Sequence, residues 1–236
     1  MHSACNILMY RSGRYDDANS RSLLGILLLS GCQAIDPLSG ERDPHSPWWN
    51  ISFREPAYMT VWVETVEVED IHGRLFRRVS GGTAPSANGT PEKEEGLAEG
   101  WGGFAGIGKA VVGADLPKRI FVRWQSIVEP QTYRVWVDIP DDARQIMRTS
   151  TVRRCPETPD DAASYMALMH LGLAPGGIVQ VWVRDSCNNA IKVARIQAEV
   201  EPLGPDQGNN GGRYAYKVSE KSRRYIERFG IPYGSW

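Results

Sequence analysis

Short runs of β-branched and aromatic residues, each closed by a turn signal, commit this chain to a fold built on sheets. The clearest is "YMTVWVETVEVED", where Val61, Val63, Val66 and Val68 alternate, with one slip, against polar neighbours. That period-2 pattern marks a half-buried strand. "WWNISF" precedes it, "IHGR" reads as a tight turn, and "LFRRVSG" as the returning partner of an antiparallel meander. "RIFVRWQS" and "TYRVWVDI" are two further strands separated by "IVEPQ". "IVQVWVRD" and "IKVARIQAEV" flank "SCNNA" as a hairpin in which Asn188 and Asn189 tolerate positive φ.

Three segments read as helices. "DDARQIMRT" follows Pro140 and carries acids at its positive end. "TPDDAASYMALMHLGLAPGG" has Thr158 as N-cap, Pro159 at the first helical position and Asp161 where a capping-box acid belongs, with Gly176 and Gly177 as its stop. "KVSEKSRRYIERFG" reads as a basic amphipathic helix with Val218, Tyr225, Ile226 and Phe229 on its apolar side. The expected fold class is α+β, mainly antiparallel sheet, meander- or sandwich-like, with two or three helices.

The first 47 residues follow other rules. "RSLLGILLLSGCQA" is far too short to span a bilayer, which takes about 20 apolar residues. It fits a signal-peptide core with Arg21 as its positive flank. Leu29-Ser30-Gly31-Cys32 matches the bacterial lipobox, whose Cys becomes the lipidated first residue of the mature chain. The alternative is a buried segment in which Cys32 is a small apolar residue. Asp16 and Asp17 upstream make an unusual leader and suggest a start codon placed too early. Gln33, not being Asp, implies sorting to the outer membrane in such lipoproteins. The expected organisation is a leader over 1–31, a lipidated Pro- and charge-rich tether over 32–47, and a single periplasmic domain over 48–236.

Removing residues 1–31 takes away three Arg and two Asp from 27 basic and 28 acidic residues, leaving 24 and 26, or a charge of −2. That balance does not suggest a nucleic-acid binder. Of four cysteines, Cys5 leaves with the leader and Cys32 carries lipid. Cys155 and Cys187 remain and are expected to pair in an oxidising compartment, with two buried free thiols as the rival reading. No His or further Cys stands at ligand spacing, so no metal is expected.

Residues 80–109 are Gly-, Glu- and small-residue-rich, a length and composition that usually mark a functional or disordered loop. Within it "GFAGIGKA" is one residue from a phosphate-binding loop. Ala110 replaces the metal-binding hydroxyl and no apolar strand precedes, so nucleotide binding is rejected. Trp101 stands there with no strand to explain it. Together with Phe104, Glu94, Glu95 and Glu99 it is a candidate contact for a protein partner. The competing reading is a loop pinned to its own domain by Trp101 and Phe104. The basic face of Lys217, Lys221, Arg224 and Arg228 ranks second. His170 falls on the expected second helix as a lone histidine. No nucleophile elbow or zinc helix is present, so an enzyme is not expected and no cofactor is implied.

Lipobox Cys32, "WWNISF", "LPKRIFVRWQSIVEPQTYRVWVDIP" and "APGGIVQVWVRDSC" together resemble a family of uncharacterised Gram-negative lipoproteins, a domain of unknown function. Members recur beside type VI secretion lipase effectors. The resemblance therefore implies an immunity protein, anchored through its lipid to the outer membrane and facing the periplasm, whose partner is such an effector. A structural or assembly lipoprotein of the outer membrane is the alternative. No catalytic residues are defined for the family.

Overall fold

A computed structural model describes residues 49–84, 98, 100–102, 104, 108–152, 155–158 and 167–236. The segments expected as leader and tether, with Cys32, lie outside the described residues. Among the described residues, ten strands form two five-stranded sheets. In the first, β1 (Trp49–Arg54), β4 (Lys109–Ala110), β7 (Ala167–Ala174), β8 (Ile178–Arg184) and β9 (Ala190–Gln197) take the order β4-β1-β7-β8-β9. The second orders β10 (Glu199–Val200), β6 (Gln131–Asp138), β5 (Pro117–Ser126), β2 (Val61–Asp70) and β3 (Leu75–Thr83) as β10-β6-β5-β2-β3. Every pairing is antiparallel except β1 with β7, which is parallel.

The inner faces of the two sheets meet in one core. Val61, Val63, Val66 and Val68 of β2 join Ile120, Val122 and Trp124 of β5, against Trp49 and Ile51 of β1, Met169, Leu171 and Leu173 of β7, and Val179, Val181 and Val183 of β8. Burying each such side chain contributes about 1.5–3 kcal/mol. The slip between Val63 and Val66 is a register shift in the β2 ladder: an irregularity there turns the second valine pair back to the core. Helix α1 (Asp141–Val152) adds Ala143 and Met147 to this core. Between β9 and β10 the chain changes sheets at Ala198, whose N–H donates to Gly177 O at 2.8 Å. Among the described residues no helix is long and apolar enough to cross a membrane.

The helix expected over 158–177 is corrected. Residues 167–174 are β7, and Thr158 lies in a bend before them. Asp161 lies outside the described residues. Every residue of β7 is buried, because one face meets the core and the other is covered by a second layer. A strand buried on both faces loses its alternation and reads like a helical apolar run. Gly176 and Gly177, both at φ +76, do end the element, as a turn between β7 and β8.

The covering layer is made by Ala98, Trp101, Phe104, helix α2 (Glu220–Phe229) and the C-terminus. Ser219 caps α2, its Oγ accepting from Ser222 N at 3.1 Å. Tyr225, fully buried, stacks on Tyr58 with ring centroids 4.1 Å apart. Its hydroxyl accepts from Ala98 N. Trp236 Nε1 donates to Pro175 O at 3.2 Å. Val218, expected on the apolar side of this helix, precedes it and is exposed, and Lys217 likewise lies ahead of the helix.

Candidate functional site

On the covered face of the first sheet, alternation puts polar side chains where apolar ones are expected. Trp49, Ile51 and Phe53 of β1 enter the core, so Asn50, Ser52 and Arg54 point the other way. The same alternation gives β7 His170 and Gly172, and β8 Gln180, Trp182 and Arg184. The register places Ser52 opposite His170, and His170 opposite Trp182. Ser52 Oγ and His170 Nδ1 are 2.7 Å apart, and His170 is wholly buried. The Phe104 ring lies 5.0 Å from that of His170 and 4.8 Å from that of Trp182. Arg184 Nη2 donates to Phe104 O.

This arrangement gathers a Ser–His pair, yet its electrostatics oppose base catalysis. Burial first, then the charges of Arg184 and Arg54, push His170 down to about 3. A neutral imidazole so reluctant to take a proton is a poor general base near neutral pH. No carboxylate among the described residues orients the ring; its Nε2 has no partner there. Burial, then the charge of Arg184, lowers Arg54, and burial lowers Arg184.

Next to Arg54, Glu55 accepts from Val61 N at 2.6 Å, and burial pushes its carboxyl up to about 8 against the effect of that hydrogen bond. The unfolded chain releases this proton near 4.5 and the folded chain holds it to about 8, so stability is greatest below 4.5 and falls as pH rises toward 8. His170 acts oppositely: its contribution is intact above 6.5 and is lost as pH falls toward 3. Urea unfolding at steps from pH 4.5 to 8 should therefore show Glu55→Gln gaining stability over the parent as pH rises. A pH-independent difference would contradict a half-buried Glu55 that holds its proton to about 8.

The outer face of the second sheet carries a cleft of about 450 Å³. Its walls include Phe121 and Trp136, whose ring centroids are 5.3 Å apart, with Arg77, Arg78 and Arg123 around them. Arg119 lies over the Trp136 ring at 4.4 Å. Arg123 pairs with Glu64 at 2.6 Å, Arg119 with Glu69 at 2.6 Å, and Arg77 with Glu67 at 3.7 Å. Arg78 is exposed and makes no ion pair among the described residues. It occupies a bulge: Val66 pairs with Ser80 and Glu67 with Arg77, which leaves Arg78 and Val79 extra on β3. Arg78 adopts φ +55, a conformation costing a non-glycine residue about 1–2 kcal/mol. Bulges of this kind re-aim side chains, and such strain collects at functional positions.

The residues singled out by sequence fall in different places. Cys155 and Cys187 form a disulfide, with Cα atoms 4.6 Å apart. Glu157 lies close to the two sulfurs, but these are bonded to each other and unavailable as thiolate ligands. Glu94, Glu95 and Glu99 lie outside the described residues. Trp101 is 6% exposed and faces inward: its ring meets that of Trp182 at 5.1 Å, and its Nε1 donates to Leu173 O at 3.3 Å. Phe104 packs beside it in the same cluster. Both aromatic anchors are thus engaged with their own domain. Lys109 and Ala110, from the near-miss phosphate loop, form β4 against β1. Of the basic face, Arg224 approaches Glu220 at 3.9 Å and Arg228 covers the Phe229 ring at 4.8 Å. The sequence reading missed Ser52, Arg54 and Arg184. Their signal was the polar phase of "WNISFR" and "QVWVR", visible only once both strands are seen to be buried on two faces.

The chain belongs to the family described as "Protein of unknown function (DUF2931)", whose model matches residues 38–234. No curated protein and no solved structure matches it.

Proposed function

We propose that this chain is a non-enzymatic binding protein, lipid-anchored at Cys32 in the outer membrane and facing the periplasm, that neutralises a lipase-type effector of type VI secretion by occluding its active site. The observation that carries the binding role is the cleft on the second sheet. Arginines and half-exposed aromatic rings are the residue types that dominate interface hot spots, and a strained bulge spends stability to aim Arg78 at solvent beside them. The neutral, weakly basic His170 supports a non-catalytic reading. The lipobox resemblance supports the anchor, which would hold the domain where a membrane-attacking enzyme works.

The test is growth rescue when the product of an adjacent lipase-like gene is exported to the periplasm alongside the full-length chain. The parent should restore growth. Trp136→Ala and Arg78→Glu, both surface changes, should weaken protection by at least about tenfold in tolerated effector dose, the effect of losing one hot-spot contact. Cys32→Ala should lose palmitate labelling. Rescue that fails in the parent, or survives all three variants unchanged, would refute the proposal.

A further inference from the structure

Arg54 is 4% exposed, and its Nε has no partner among the described residues. Arg184 Nε and His170 Nε2 are likewise buried and without partners there. Neither guanidinium has an ion pair with a described carboxylate. The neighbouring polar groups are already engaged elsewhere: Ser52 Oγ with His170 Nδ1, and Arg184 Nη2 with the Phe104 carbonyl. In the tautomer in which Ser52 Oγ donates to Nδ1, the neutral ring carries its proton on Nε2, and the three orphan atoms are then all N–H donors. A buried and a partly buried cation on one sheet face, with no counter-charge among the described residues, make a costly arrangement for a fold to hold. The register puts all three on the covered face: Arg54 is the next same-face residue after Ser52 on β1, Arg184 the next after Trp182 on β8, and His170 lies between them on β7, close enough for both charges to act on the imidazole.

We propose that Arg54, Arg184 and His170 form an anion site for a tetrahedral oxyanion of the phosphate or sulfate class. Such an anion supplies only acceptors, matching a cluster that offers only donors, and its double charge answers two guanidinium groups. Planar, forked guanidinium groups suit oxyanion geometry. Phe104 and Trp182 beside the cluster exclude water and strengthen the attraction. The site is distinct from the cleft on the second sheet, so its occupancy does not depend on an effector partner.

The experiment is thermal unfolding of the full-length protein in chloride, phosphate or sulfate at matched ionic strength, with equilibrium dialysis against radiolabelled phosphate. Saturating phosphate should raise the Tm of the parent by about 5 °C or more. Arg184→Gln, whose side chain is only partly buried, should fold and show no phosphate-specific rise. Arg54→Gln should behave the same where it folds, and dialysis should show phosphate retained by the parent and not by Arg184→Gln. Equal Tm in the three salts, with no phosphate retained, overturns the proposal. So does a phosphate response that appears only after Glu94, Glu95 and Glu99 are all changed to Gln, because the chain's own carboxylates would then be the counter-charge.

Discussion

Trp101→Ala should destabilise the folded chain by about 3–5 kcal/mol, the cost of deleting a large buried aromatic side chain. The ring is held from three sides. Trp182 meets it edge-on at 5.1 Å, Leu173 O accepts from its Nε1 at 3.3 Å, and the backbone of Gly172 lies directly beneath. A Cβ added at Gly172 would stand 2.5 Å from Trp101 Cε2, closer than any tolerated contact. Gly172→Ala should therefore cost about 1–3 kcal/mol by overpacking. The two changes should not add. With the indole gone, the methyl group meets no obstacle, so most of the Gly172→Ala penalty should vanish in the Trp101→Ala background. Urea unfolding of the four proteins provides the cycle. Additive effects, or a Trp101→Ala cost below about 1 kcal/mol, would mean that this indole does not fasten the Gly-rich segment to the sheet.

Opening the disulfide is the second large effect. The bond between Cys155 and Cys187, 32 residues apart, ties the chain beyond α1 to the turn of the β8–β9 hairpin. In the chain-entropy model, releasing a loop of that length costs about 3.5–4 kcal/mol, mainly by freeing the unfolded state. The hairpin turn should survive locally. Asp185 accepts from Cys187 N at 2.9 Å and from Asn189 N at 2.8 Å, and Asn188 holds φ +62 independently of the sulfurs. Cys155→Ser with Cys187→Ser should therefore lower the denaturation midpoint while leaving the far-UV spectrum of the folded protein unchanged. Titration of the unreduced, unfolded domain should find neither of these thiols reactive. Two reactive thiols would contradict the bond.

What the sequence makes legible follows how many faces of each element are buried. Strand β2 has one face in the core, so its valines alternate and can be read directly, slip included. Strands β5 and β6 are legible for similar reasons, the β8–β9 hairpin through its turn residues at 185–189, and α1 and α2 through their own charge and capping signals. Strand β7 is not legible, because solvent reaches neither face and periodicity carries no information there. Its parallel pairing with β1 is a long-range property, and so is the change of sheet at Ala198 inside what reads as one strand. The buried arginine cluster stayed hidden for the same reason: Arg54 and Arg184 are far apart in sequence, and a polar phase in a strand ordinarily signals solvent. Conversely, Trp101 looked like an exposed anchor because its partner is the absence of a side chain at Gly172. The cleft around Trp136 depends on the bulge at Arg78, whose positive φ has no signature in an arginine.

The binding role proposed for the second-sheet cleft requires direct, saturable contact with a protein partner. Calorimetric titration of the purified full-length chain with the product of an adjacent lipase-like gene measures that contact. Binding should be saturable and should weaken by at least about tenfold in Kd for Trp136→Ala and for Arg78→Glu, with both variants as stable as the parent. Binding of equal strength in parent and variants, or no binding by the parent, would contradict it.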